Sequence, residues 1–120
     1  KKSPIFDRFP EKFDLADEFY WELRGDTAKI IPMVTSPAGP TIANKSLPGP
    51  PKFEDLDNKS WPVMWTTEVG PGRVFVSGVG HNYFTFNDRY FRIILLRAMA
   101  WTMNESFDPF KPLVTAHLER

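Results

Sequence analysis

The sequence predicts an α/β chain with a β-hairpin at about 62–79 and a buried helix at about 88–103. Three observations carry that expectation. Two runs rich in β-branched and aromatic residues flank a Gly-Pro-Gly turn. A stretch of apolar residues with helical spacing follows them. The chain has 120 residues, 42% of them hydrophobic, and eleven Phe and four Trp supply area for a real core. That length fits one domain at most.

Residues 1–12 are polar with two prolines and read as a lead-in loop. Leu15, Phe19 and Leu23 recur at i, i+4 and i+8 among acids, which predicts a short helix over Phe13–Leu23 that Arg24-Gly25-Asp26 stops. Lys29 to Thr35 is a short β-rich run, and Pro32 demotes it to an edge strand or a bulged one. Residues 36–60 hold Pro37, Pro40, Pro48, Pro50 and Pro51, five of the chain's twelve prolines. This proline-rich loop is about twice the length at which structureless loops become uncommon, so it is a functional cover or partly disordered.

Pro62 to Glu68 and Arg73 to Val79 form the hairpin strands around Val69-Gly70-Pro71-Gly72. Gly80 and His81 follow, then an aromatic loop from Asn82 to Phe86. Asn87 or Thr85 is the expected N-cap of a helix starting at Asp88, with that acid in the first turn. Phe91, Ile94, Leu95, Ala98, Trp101 and Thr102 draw its apolar stripe. Ile93, Leu96 and Ala100 widen it, so the helix is expected to be buried on most sides. Asn104 ends the helix, and residues 105–120 read as a tail without strong periodicity.

Composition excludes several function classes. Fifteen basic and fifteen acidic residues cancel, and no basic cluster offers the surface that nucleic acid needs. The stretch from Tyr90 to Met103 is too short to cross a bilayer and is broken by Arg92 and Arg97. Without cysteine there is no disulfide, thiolate zinc site or cysteine nucleophile. The expectation is a soluble protein, cytoplasmic or periplasmic, because a chain without cysteine works in either redox environment. Gly70-Pro71-Gly72 lies in a hairpin turn and cannot act as a phosphate loop. Ser77-Gly78 lacks the pattern of a nucleophile elbow, and the two histidines are too far apart for an H-E-x-x-H pair. His117, in the tail, reads as a surface residue.

His81 stands out because it follows Gly80 at the end of a strand expected inside a sheet, where open α/β sheets bind ligands. It either hydrogen-bonds within its own loop or serves as a metal ligand, a general acid/base or a donor to a sugar hydroxyl. It is the only candidate ligand the sequence offers for a divalent metal. Asp17 and Glu18 are the second candidates. Adjacent on a helix, they would point in different directions, so one at most would reach a given site. Tyr20, Trp21, Trp65, Tyr83, Phe84 and Phe86 supply rings that are either core or a stacking surface for a sugar.

Three segments together resemble the ThuA-like (trehalose-utilisation) family. Ser3-Pro4-Ile5 with Phe13 to Tyr20 is similar to its "HPI…F…DE-Y" region, and Pro62-Val63-Met64-Trp65 with Gly70 to Phe75 to its "P-V-x-W…G-x-G-R-V-F" hairpin. Val79-Gly80-His81 with Phe91 to Trp101 is similar to its "L-G-H…F…L…A-I-x-W-A" ending. The resemblance implies a flavodoxin-like three-layer domain related to class I glutamine amidotransferases, of which this chain is the C-terminal half. Residues 1–104 would be that part, and 105–120 a C-terminal tail. A chain that starts Lys-Lys-Ser instead of Met fits a fragment or a processed form.

The resemblance also implies a role in carbohydrate metabolism, binding or processing a sugar or 3-keto glycoside. The family pattern carries over to Asp17, Glu18, Tyr20, Trp65, His81 and Trp101. Of these, His81 and Glu18 are the expected reacting or ligand-holding pair, Asp17, Tyr20 and Trp65 the binding neighbours and Trp101 a core residue; Tyr83, from the aromatic loop and outside that pattern, is a further candidate binding ring. One residue departs: the histidine that usually precedes Pro4 is Ser3 here, which weakens a site that needs it. The alternative is therefore a non-catalytic structural or interaction subunit of a larger assembly. Either way the chain is expected to need the missing half or a partner chain, and its ligand is a small sugar or a neighbouring protein.

Overall fold

A computed structural model describes residues 3–20, 25–37 and 60–118. Its elements are three strands, β1 (Ile31–Pro37), β2 (Ser60–Val69) and β3 (Gly72–Ser77), and two helices, α1 (Arg89–Thr102) and α2 (Lys111–Leu118). Short 3-10 turns occupy Pro4–Phe6, Thr27–Lys29, Tyr83–Asn87 and Asp108–Phe110. The strands form one antiparallel sheet in the order β1-β2-β3. The chain is thus of mixed α/β class, consistent with part of a flavodoxin-like domain.

The expected hairpin is present, with a tighter turn. Val69 pairs with Gly72, leaving Gly70 and Pro71 as a two-residue loop. Gly70 has φ 57°, a backbone that a side chain strains and that the first central position of a type II′ turn requires. Pro71 then sits where its fixed negative φ suits the turn. The edge strand is also as Pro32 suggests: the β1–β2 register shifts between Pro32 and Val34 and again between Val34 and Thr35. Ser36, Pro37 and Ser60 pair within the sheet, so the proline-rich loop is shorter at both ends than the sequence suggests. Its remainder, 38–59, lies outside the described residues.

Two placements differ from expectation. The strand preceding His81 is at the edge of the three described strands, not inside the sheet, and the sheet is antiparallel. The binding rule for the C-terminal edge of parallel strands therefore does not apply to it. Residues 13–20 are not helical: burial alternates residue by residue, with Phe13, Leu15, Asp17 and Phe19 turned inward and their neighbours outward. That is the two-residue period of an extended chain. Phe13, Leu15 and Phe19 pack on the core, so tertiary contact decides against the weak helical spacing. Residues 21–24, including Trp21 and Leu23, lie outside the described residues.

Helix α1 starts one residue later than expected, because Asp88 is itself the cap. Its carboxylate accepts from the Phe91 N–H at 2.9 Å, satisfying a donor that the first turn leaves free. The helix ends in a Schellman motif. Asn104 takes a left-handed φ of 59°, its N–H donates to the Trp101 carbonyl, and the Glu105 N–H donates to the Ala100 carbonyl. Phe91, Ile93, Ile94, Ala98 and Ala100 are buried, whereas Leu96, Met99 and Met103 are exposed. Trp101 is half-buried against the core, with the Arg73 guanidinium over its ring.

The core joins both chain ends to the hairpin. Ile5, Val63, Met64, Val79, Phe91, Ile94 and Ala98 form its buried centre. The lead-in loop is therefore part of the core, with Ile5 wholly buried. Arg97, on the inner face of α1, is also fully buried. It donates to the carbonyls of Ile5 (3.1 Å), Asp7 (2.7 Å) and Phe110 (3.3 Å), and its guanidinium lies over the Phe9 ring. Burial lowers its pKa, partly opposed by the charge of Asp7. Three carbonyls around one fork explain how a cation sits in a core. The tail is not featureless: it holds α2, and Val114 is completely buried.

Candidate functional site

The candidate site is built where the extended segment 13–20 meets the loop that follows β3. Gly80 has φ 119°, and a Cβ there would come within 3.3 Å of Phe91 and 3.4 Å of Phe86. Only glycine lets the chain turn this close to the two rings. Phe86 and Phe91 themselves meet edge to face at 5.3 Å, which backs the loop with aromatic packing. Below it, the buried Thr85 hydroxyl donates to the Ala16 carbonyl at 3.1 Å. This ties the loop to a segment almost seventy positions earlier.

Asp17 makes the principal link. Its Oδ2 accepts from the main-chain N–H of Gly80, in a short hydrogen bond, and from that of His81 at 3.1 Å. Its Oδ1 accepts from the Asn82 N–H (3.0 Å), the Asn82 side-chain amide (2.9 Å) and the Glu18 N–H (2.8 Å). Partial burial disfavours the charge, but the hydrogen bonds from Gly80, Asn82 and Glu18 outweigh it and lower the pKa to about 2. Asp17 is ionised at any ordinary pH.

Glu18 and His81 meet above this anchor. His81 Nε2 lies 3.5 Å from Glu18 Oε2, with the side chains 52% and 54% exposed. This is ion-pair distance, looser than an aligned hydrogen bond, and both groups are open to solvent. The Tyr20 ring stands edge-on to the imidazole at 6.2 Å. An exposed imidazole beside a carboxylate and a phenol can exchange protons with a bound hydroxyl or carbonyl, or hydrogen-bond neighbouring hydroxyls.

The other candidates take different places. Trp65 lies mid-strand in β2, half-buried, in register with Pro32 and Val76. Tyr83 is 84% exposed and meets the Phe84 ring edge-on at 5.9 Å. Among the described residues, no ring contact or hydrogen bond joins either to His81. Ser3 caps the first 3-10 turn by accepting from the Ile5 N–H. It lines a separate open groove of about 370 Å³ with Pro4, Asp7, Phe107 and Lys111. No three His, Asp or Glu side chains gather as a metal site among the described residues. The Glu18–His81 pair alone offers two donors, fewer than a protein-held metal site normally uses.

Sequence reasoning singled out Asp17 without its task. The signal available was Asp17 together with Gly80 and Asn82, but residues so far apart reveal no contact by spacing. No helix among the described residues is long and apolar enough to cross a membrane.

A mixed α/β chain with an acid–imidazole pair exposed where an extended segment meets a glycine loop is the class these features define. Compared with protein families, residues 1–102 match ThuA, described as trehalose utilisation. The chain belongs to the ThuA family. Comparisons with curated proteins and with solved structures found no match.

Proposed function

We propose that this ThuA-family domain acts in carbohydrate metabolism by holding a sugar or 3-keto glycoside against His81 and Glu18. The observation that carries the reading is the approach of these two side chains, 63 residues apart in sequence, to 3.5 Å on an exposed surface. In this reading His81 exchanges a proton with a substrate hydroxyl or keto oxygen, and Glu18 orients the imidazole. Tyr20, whose ring stands against the imidazole, borders the ligand from the side. The N-terminal half of a ThuA-like domain, or a partner chain, completes the pocket.

Titration of the protein with trehalose and 3-ketotrehalose, beside His81→Ala and Glu18→Gln, tests this. Each variant is expected to weaken binding by about tenfold or more, the loss of one charge-assisted hydrogen bond. Equal behaviour of wild type and both variants toward the two sugars removes the site.

A second reading, a non-catalytic interaction subunit, rests on a different observation. Leu96, Met99 and Met103 are 41%, 55% and 65% exposed and follow one another along a single face of α1. With serine in place of the family's histidine, a scaffold that seats a neighbouring chain on this face is consistent with these features. A protein that remains monomeric and binds 3-ketotrehalose would count against it.

A further inference from the structure

Asp17 is placed to do more than close a loop. Five hydrogen bonds converge on its carboxylate, and they come from both sides of the candidate site. The Glu18 N–H lies on one side, and the consecutive N–H groups of Gly80, His81 and Asn82 on the other. Resting on the reading of His81 and Glu18 as the ligand-holding pair, we propose that Asp17 is the positioning residue of that pair. Its carboxylate anchors both partners' backbones and so sets the imidazole against the Glu18 side chain and the Tyr20 ring.

The physical argument starts from freedom. His81 and Glu18 are both about half exposed, so little packing restrains either side chain. Neither belongs to a strand or helix, so no ladder of hydrogen bonds restrains their backbones. Beside the Thr85–Ala16 hydrogen bond that ties loop to segment, the Asp17 carboxylate is what holds the main-chain N–H of each. A carboxylate accepting successive main-chain N–H groups forms charge-assisted bonds about twice as strong as neutral ones. With those donors held and Gly80 confined to φ 119°, the direction of the His81 Cα–Cβ bond is set, leaving only the side-chain torsions. The carboxylate is itself fully engaged, so it stands behind the pair and not in the pocket.

Asp17→Asn is the informative variant, because it keeps the shape but removes the charge and points an amide N–H₂ at donors. In the wild type, NMR should show His81 imidazole protons close to the Tyr20 ring, and slow exchange of the Gly80, His81 and Asn82 amide protons. In Asp17→Asn the His81–Tyr20 contact should vanish and those amides should exchange about tenfold faster or more. The Phe86–Phe91 contact should persist. Asp26→Asn, which removes a carboxylate capping the Thr27–Lys29 turn, should leave the His81–Tyr20 contact unchanged. In titrations with 3-ketotrehalose, Asp17→Asn should weaken binding as His81→Ala does, and the double variant should lose no more than His81→Ala alone.

Retention of the His81–Tyr20 contact and of amide protection in Asp17→Asn overturns the inference. If that variant does not fold, exchange in the wild type decides: protected amides at Gly80, His81 and Asn82 support the anchor, and freely exchanging ones overturn it. A wild type that binds neither sugar sinks the carbohydrate reading, while the NMR contacts still decide the positioning role.

Discussion

At the scale of single residues, Asp17 links fold and site most directly. Its pKa is lowered from 3.8 to about 2, so the folded state holds its charge more firmly than the unfolded chain does. The resulting stability is present in full above the unfolded value and is lost as pH falls through the folded one. Solvent screening at this partly exposed position reduces the contribution to the order of 1–2 kcal/mol. Wild type should therefore melt above Asp17→Asn at pH 6, with the gap narrowing steadily between pH 4 and pH 2. A gap that is constant over this range would show that the charge of Asp17 is not what stabilises the loop. Asp17 and Glu18 were legible in the sequence as a pair of acids, and His81 as a histidine after glycine. Their convergence was not, because no local rule joins residues 17 and 81.

At the scale of elements, turn signals and apolar periodicity predicted the hairpin and α1, but not the Asp88 cap, α2 or the extended segment 13–20. The hairpin follows from β-branched runs around Gly70-Pro71, and α1 follows from its apolar stripe. Segment 13–20 does not follow, since an i, i+4 spacing of Leu15 and Phe19 also fits inward positions of an extended chain. Only the core can choose between them. The ends of α1 give a direct check. Asp88→Ala should cost about 1 kcal/mol by removing the cap on Phe91. Asn104→Gly should stabilise by a few tenths to roughly 1 kcal/mol, because glycine takes the left-handed φ without strain. Urea unfolding midpoints of the two variants should thus move in opposite directions. Movement in the same direction would mean that the caps do not control this helix.

At the scale of the whole molecule, the decisive feature is a core that draws on both ends of the described chain. Arg97 donates to Ile5 and Asp7 near the start and to Phe110 near the end, and Val114 of α2 is completely buried. A chain cut after Asn104 loses that carbonyl and that burial, so it should be less stable by roughly 3 kcal/mol. An unchanged urea midpoint would instead make residues 105–120 a dispensable tail, as their sequence suggests. By itself the sequence determined the hairpin, the edge strand, the main helix and the ThuA resemblance, because turn residues, periodicity and motif order act over short distances along the chain. Only the tertiary structure decided that segment 13–20 is extended, that Arg97 is a core residue and that Asp17 joins Glu18 to His81. Each of these depends on partners many residues away, and no spacing along the chain encodes which of them will meet.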